Sequence, residues 1–345
     1  MRIEPITIQL QRAVNPHRPG SIDRRRFDLL RDGMTAGEFI VAHNAFGSLS
    51  TGGLGERWHA VRYLRYMQER GFLTLPGFTF ATRERALSTT PLSDDLGAFT
   101  FGVEFECFVP RGYSRQMAAD YVQQNAGVMC THEPYNHTLR SHWKVVTDGS
   151  LGYRRGAEFV SPVLQGQAGL QQVESVARAL RSMRARVSAS CGFHVHVGAR
   201  SEDANFFRNL LRLYGRNEVW INSILPPSRH NNRYCQRVRL LNITDGMSKE
   251  EILRQFGGNF FDRNYRLNIA AYARHGTVEF RQAAGTVDAD KASYWIKFCL
   301  RMCAAAKAGI SEHFNSLPEL LTAIGCTEPE RAYFIHRADR LRIAA

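Results

Sequence analysis

The chain has 345 residues, 44% apolar and 22% charged, which is enough to bury a sizeable core and sets a length prior of about two domains. No stretch approaches the roughly 18 apolar residues of a membrane span, and the opening MRIEPITIQL alternates apolar and polar residues instead of forming a leader, so a cytoplasmic location is expected. Seven scattered cysteines with no CxxC pair argue against a disulfide framework and a zinc-thiolate site, and a net charge of +13, carried mostly by arginine, points to anionic partners.

In chain order, DRRRFDLLRDG, TAGEFIVAHNAF and ERWHAVRYLRYMQERG read as three helices, the second opened by Thr35 with Glu38 three residues on, a capping-box spacing. FLTLPGFTFATRE then reads as a hairpin around Pro76-Gly77. Three helices and a two-stranded wing are the order of a winged helix. Arg57, Arg62, Arg65 and Arg70 on the third helix make nucleic acid a candidate partner through residues 20–85. The same arginines fit the solvated face of an ordinary amphipathic helix that buries Val61, Leu64 and Met67. The turn-rich STTPLSDDLG closes this segment, so the expected domains are 1–97 and 98–345.

Beyond it, apolar alternation predicts strands over 99–109, 143–147, 157–164, 191–198, 263–273 and 276–284, with helices over 114–126, 168–187, 203–222, 249–256 and 288–308. Arg274-His275-Gly276 is short enough to join the last two strands as an antiparallel hairpin. Two further helices, SLPELLTAIG and EPERAYFIHRADRLR, end the chain. The expected class is α+β, a mainly antiparallel sheet backed by helices.

Several strands share one design. In GVEFE, the period of two places Glu104 and Glu106 on one face and Val103 and Phe105 on the other. Paired carboxylates repel unless solvated or bridged by a cation, and all-oxygen ligation suits Mg²⁺ or Mn²⁺. CGFHVHVG pairs His194 with His196, residues able to bind metal or phosphate, against Phe193, Val195 and Val197. GTVEFR pairs Glu279 with Arg281, and YRLN on the neighbouring strand pairs Arg266 with Asn268. Glu158 lies in the apolar AEFVSP, and Asp148 closes WKVVTDGSL in a turn, where it can take a proton from an amine. Each motif alone fits a solvated strand face or a hydrogen-bonded histidine. Together they describe a charged sheet face, costly to enclose unless it binds metal and anion.

The ordered set GVEFE, WKVVTDGSL, AEFVSP, CGFHVHVG, YRLN and GTVEFR resembles the amidoligase family, a branch of the glutamine synthetase and glutamate-cysteine ligase superfamily, over residues 99 to 285. The resemblance implies a curved antiparallel sheet and an ATP-dependent ligase that joins a carboxylate to an amine through an acyl phosphate. It implies that Glu104, Glu106, Glu158 and Glu279 hold Mg²⁺ or Mn²⁺, and that His194 or His196 meets metal or phosphate. Arg281 and Arg266 would steady the transferring phosphoryl group, Asn268 would position nucleotide or substrate, and Asp148 would accept the amine proton. The carboxylate and amine can be free or carried on a peptide or other anionic polymer. Two other readings stay open: a metal-dependent amide or ester hydrolase, and a nucleic-acid-binding protein with an inactive ligase-like sheet.

Overall fold

The structure, a computed structural model, describes residues 4–11, 27–47, 60–61, 63–64, 67–68, 72–78, 98–151, 155–230, 232–238, 240, 243–257 and 263–343. The chain divides into two compact units, Met1–Leu87 and Ser88–Ala345.

In the first unit, β1 (Gln9–Leu10) pairs antiparallel with β2 (Leu73–Thr74), Leu10 opposite Leu73. Helix α1 (Ala36–Gly47) starts where the sequence predicts, because Thr35 and Glu38 cap each other: the Thr35 N–H donates to the Glu38 carboxylate (2.7 Å) and the Glu38 N–H to the Thr35 hydroxyl (3.2 Å). Phe39, Ala60, Leu64, Met67 and Leu73 are buried together in the core of this unit. Around Pro76-Gly77 the chain turns, with Gly77 at φ +73° and the Phe78 N–H donating to the Leu75 carbonyl. Residues 73–74 therefore take the N-terminal strand as partner, a pairing the expected wing did not include. Arg57, Arg62, Arg65, Arg70 and the wing's second arm lie outside the described residues.

The second unit is a mixed α+β fold around an eight-stranded sheet. Its strands are β3 (Thr100–Phe108), β4 (Cys130–His132), β5 (Trp143–Val146), β6 (Gly156–Val160), β7 (Leu164–Gln165), β8 (Gly192–Gly198), β9 (Leu267–Asn268) and β10 (Thr277–Ala284). The order is β4-β5-β6-β3-β8-β10-β9, with β7 also paired to β3. All pairings are antiparallel except β4 with β5.

The alternation dictates which face is dry. Phe101, Val103 and Phe105 of β3, Phe159 of β6, Phe193, Val195 and Val197 of β8, and Val278 and Phe280 of β10 are all buried in one core. Against them pack the apolar stripes of α2 (Arg115–Ala126), α3 (Gly166–Ser182), α4 (Ala204–Arg216) and α8 (Ala289–Lys307), with Leu170, Val173, Val176 and Leu180 as the stripe of α3. Helix starts follow local chemistry: Ser114, Asp203 and Asp288 accept the N–H of Met117, Phe206 and Lys291 in the first turns of α2, α4 and α8. The remaining helices are α5 (Glu218–Ser223), α6 (Lys249–Gly257), α7 (Ala271–His275), α9 (Leu317–Ala323) and α10 (Glu328–Ile343).

The helix expected over 203–222 breaks at Asn217 into α4 and α5, the strand expected over 157–164 divides into β6 and β7, and the largest departure falls on residues 263–273. The strand expected over 263–273 is reduced to β9, and residues 271–275 form α7, which ends at Gly276 with φ +69°. Arg274-His275-Gly276 is thus the end of a helix leading into β10, and a side chain at Gly276 would collide with that of Arg200. Among the described residues, no helix is long and apolar enough to cross a membrane.

Candidate active site

The polar face of this sheet carries its charge in register. Glu104 of β3 stands opposite His194 of β8, and Glu106 opposite Glu158 of β6. His196 stands opposite Gly102 on one side and Glu279 of β10 on the other, and Glu279 is in turn opposite Asn268 of β9. Cross-strand neighbours on one face lie about 5 Å apart, so the register alone makes these groups interact.

The side chains close the cluster. His194 Nδ1 lies 3.0 Å from Glu104 Oε2 and its Nε2 3.5 Å from Glu106 Oε1. His196 Nε2 lies 3.4 Å from Glu104 Oε1, while its Nδ1 is 2.9 Å from the Thr277 hydroxyl. Glu279 accepts from the Asn268 side-chain amide and from the Arg281 guanidinium. The Gly192 N–H donates to Glu106 at 2.5 Å, and Gly192 must lack a side chain because a Cβ there would lie 2.5 Å from the His194 ring.

Electrostatics separates the carboxylates. Burial favours the neutral acid at Glu104, but hydrogen bonds from His194 and His196, and their charge, outweigh it and hold this carboxyl well below the usual range. At Glu158 burial acts in the same direction as the neighbouring charges of Glu104, Glu106 and Asp148, and its pKa is pushed well above that range. Burial also opposes ionisation of Glu279, where Arg281 and the two histidines prevail and lower its pKa. Burial lowers the pKa of His196, yet the charges of Glu279 and Glu104 raise it on balance.

The donors also meet the requirements of a cation. Ligand atoms of Glu104, Glu158 and His194 all lie within 4.8 Å of one another, as do those of Glu104, His196 and Glu279, so two triads share Glu104. Oxygen-rich donor sets with one imidazole each fit a hard divalent ion such as Mg²⁺ or Mn²⁺.

This face floors a cavity of about 1060 Å³. Glu104, Glu106, Asp148, Glu158, His194, His196, Asn268, Glu279 and Arg281 all line it. Arg266 does not. Its side chain is 1% exposed, it ion-pairs with Glu218 at 3.0 Å, and it donates to the carbonyls of Cys235 and His230. The expectation that Arg266 joins Asn268 at the site fails: Arg266 stands just before β9, and its guanidinium is tied to the buried Glu218 and to backbone carbonyls away from the cavity.

Other lining residues have no counterpart in the sequence reading: Tyr135, His137, Lys144, Arg229 and His275. Lys144 carried a usable signal, since a lysine inside the apolar WKVV is rarely buried without partners. Tyr135 and His137 sit in a stretch without periodicity, and their position follows from topology. Because β4 and β5 are parallel, residues 133–142 must return along the full length of the pair, and they do so beside the polar face. There the His137 ring lies 6.3 Å from that of His275, which lies 5.7 Å from that of His196.

A family profile described as "Putative amidoligase enzyme" matches residues 98–303, which contain every strand of this sheet. The chain belongs to the amidoligase family. It is thus an enzyme of ligase type, and the motifs that resembled the family are those that build the cluster. Among curated proteins, none matches the chain.

Proposed function

We propose that the cavity is the active site of an ATP-dependent carboxylate-amine ligase acting through an acyl phosphate, on a sheet curved as in glutamine synthetase. The observation that supports this best is the pair of triads meeting at Glu104, with Arg281 beside them on the cavity wall. Such a surface suits a triphosphate neutralised by divalent ions.

Glu104, Glu106, Glu158, Glu279, His194 and His196 would hold the Mg²⁺ or Mn²⁺, which when bound neutralises phosphate oxygens and developing negative charge. Arg281 is oriented by Glu279 and sits where a guanidinium can steady a phosphoryl group as it passes to the substrate carboxylate. Asn268 is 3% exposed, and its Oδ1 has no hydrogen-bond partner, leaving an acceptor for substrate or nucleotide. The amine then displaces phosphate from the acyl carbon, and Asp148, on the same cavity, receives the proton that the amine loses.

The test is ADP and phosphate release with Mg²⁺ and ATP against pooled carboxylates and amines. Glu104→Ala and Glu279→Ala should each lower substrate-stimulated release by about 10²–10³. ATP that is neither bound nor turned over, with amides or esters hydrolysed instead, would replace the ligase reading with a metal-dependent hydrolase.

A further inference from the structure

The cavity has a charged floor and an apolar rim. Of the ten exposed large apolar side chains among the described residues, four line this one cavity: Tyr135 (55% exposed), Leu139 (58%), Val163 (59%) and Tyr234 (43%). Single exposed apolar residues are ordinary, whereas a concentration of them around one opening marks a surface that something covers.

Nor are Tyr135 and Leu139 exposed because their loop is loosely held. Lys144, 3% exposed, directs its ammonium at the loop and donates to the Asn136 carbonyl (3.1 Å), the Asn136 Oδ1 (2.9 Å) and the Thr138 carbonyl (2.8 Å). An ammonium has three N–H donors, and all three are committed to these acceptors. Glu133 grips Arg140 through two hydrogen bonds of 2.8 and 3.0 Å and also accepts from Asn136 at 2.9 Å. The Tyr135 hydroxyl meets His137 Nε2 at 3.1 Å. A loop whose polar groups are this fully engaged holds its apolar side chains at fixed places on the cavity wall.

We infer that one of the two substrates carries an apolar side chain next to its reacting group, seated against Tyr135, Leu139 and Val163, with Lys144 as the positioning residue for that wall. This rests on the ligase reading. Glycine or ammonia would leave the rim uncovered, whereas a leucine-sized group on a substrate anchored to the floor by its charged end would cover it. The reacting end can be the carboxylate or the amine, and the chemistry at the rim is the same for both.

Binding to the full-length chain, measured by calorimetry with four probes, tests this. N-acetylleucine and N-acetylglycine offer only a carboxylate, while leucinamide and glycinamide offer only an amine. In one pair the leucine probe should bind about tenfold more tightly than its glycine counterpart, and that pair identifies which substrate bears the apolar group. Leu139→Ser, at an exposed site where folding is not at stake, should abolish the preference. Lys144→Met should do the same, and Lys144→Arg should restore part of it, which a mere loss of stability would not. Equal binding of leucine and glycine probes in both pairs, no binding of any probe, or a preference unchanged in Leu139→Ser would overturn the inference. Because these readings need no turnover, a leucine preference without ADP release would remove the ligase reading and leave the apolar subsite standing.

Discussion

Arg266 and Arg281 are neighbours in backbone, since the Arg281 N–H donates to the Arg266 carbonyl at 2.8 Å, and each is paired with a buried glutamate. Their surroundings differ. The Arg266–Glu218 pair is enclosed, its side chains 1% and 4% exposed, and the Arg266 Nε and Nη2 groups donate to backbone carbonyls. In the Arg281–Glu279 pair the guanidinium is 12% exposed and lines the cavity. A charge closed in by protein can only hold the fold together, whereas one with an open edge can also meet a ligand. Residue type and a neighbouring acid, alike in the two pairs, do not distinguish these roles.

Three substitutions or conditions sharpen the contrast. Arg266→Met should have the largest effect, about 3–5 kcal/mol of lost stability, because Glu218 stays buried and, among the described residues, keeps only the exposed Arg237 as cationic partner. Urea unfolding measures it, and a loss under about 1 kcal/mol would make the pair dispensable to the fold. Arg281→Gln should lower ADP release by about 10²–10³, worth about 2.7–4 kcal/mol, while unfolding more nearly like the unaltered protein. Full turnover in that variant would strip the cavity-facing arginine of its role. The smallest effect concerns the loop. Arg140 beside Glu133 holds its carboxyl at about 2, against an ordinary value of 4.5. The contribution of this contact is fully present above pH 4.5 and fades as the pH falls toward about 2, so the protection of amides in residues 133–142, taken relative to intrinsic exchange at each pH, should fall over that window. Protection that stays flat across it would mean that the loop is held without the Glu133–Arg140 contact, by Lys144 and the loop's other hydrogen bonds.

Much of the charged face was legible in the sequence because β3, β8 and β10 are seven to nine residues long, enough for alternation to assign every side chain. Alternation says which face, but not which neighbour. That Glu104 meets His194, and that β3 lies between β6 and β8, depends on pairings between residues far apart in the chain. Where elements are short, even the face was lost: YRLNIA read as a strand long enough to align Arg266 with Asn268, although the strand proper is Leu267–Asn268, the Arg266 N–H turns to the Gln236 carbonyl and α7 follows. The 133–142 loop carried no signal, since its course is set by the parallel pairing of β4 with β5 and its grip by Lys144, eight residues beyond Asn136. In the first unit the capping box at Thr35 was local and therefore readable, whereas the partner of β2 lay more than sixty residues away, as Gln9 opposite Thr74.

Glu104 belongs to both triads. A carboxylate with two oxygens and one negative charge cannot serve two cations as if each were alone. Whatever occupies one triad alters the charge and orientation the other receives, and the influence runs equally in both directions. Were cations bound at both, their occupancies would be a joint property of the sheet, described by a coupling constant and not by two separate affinities.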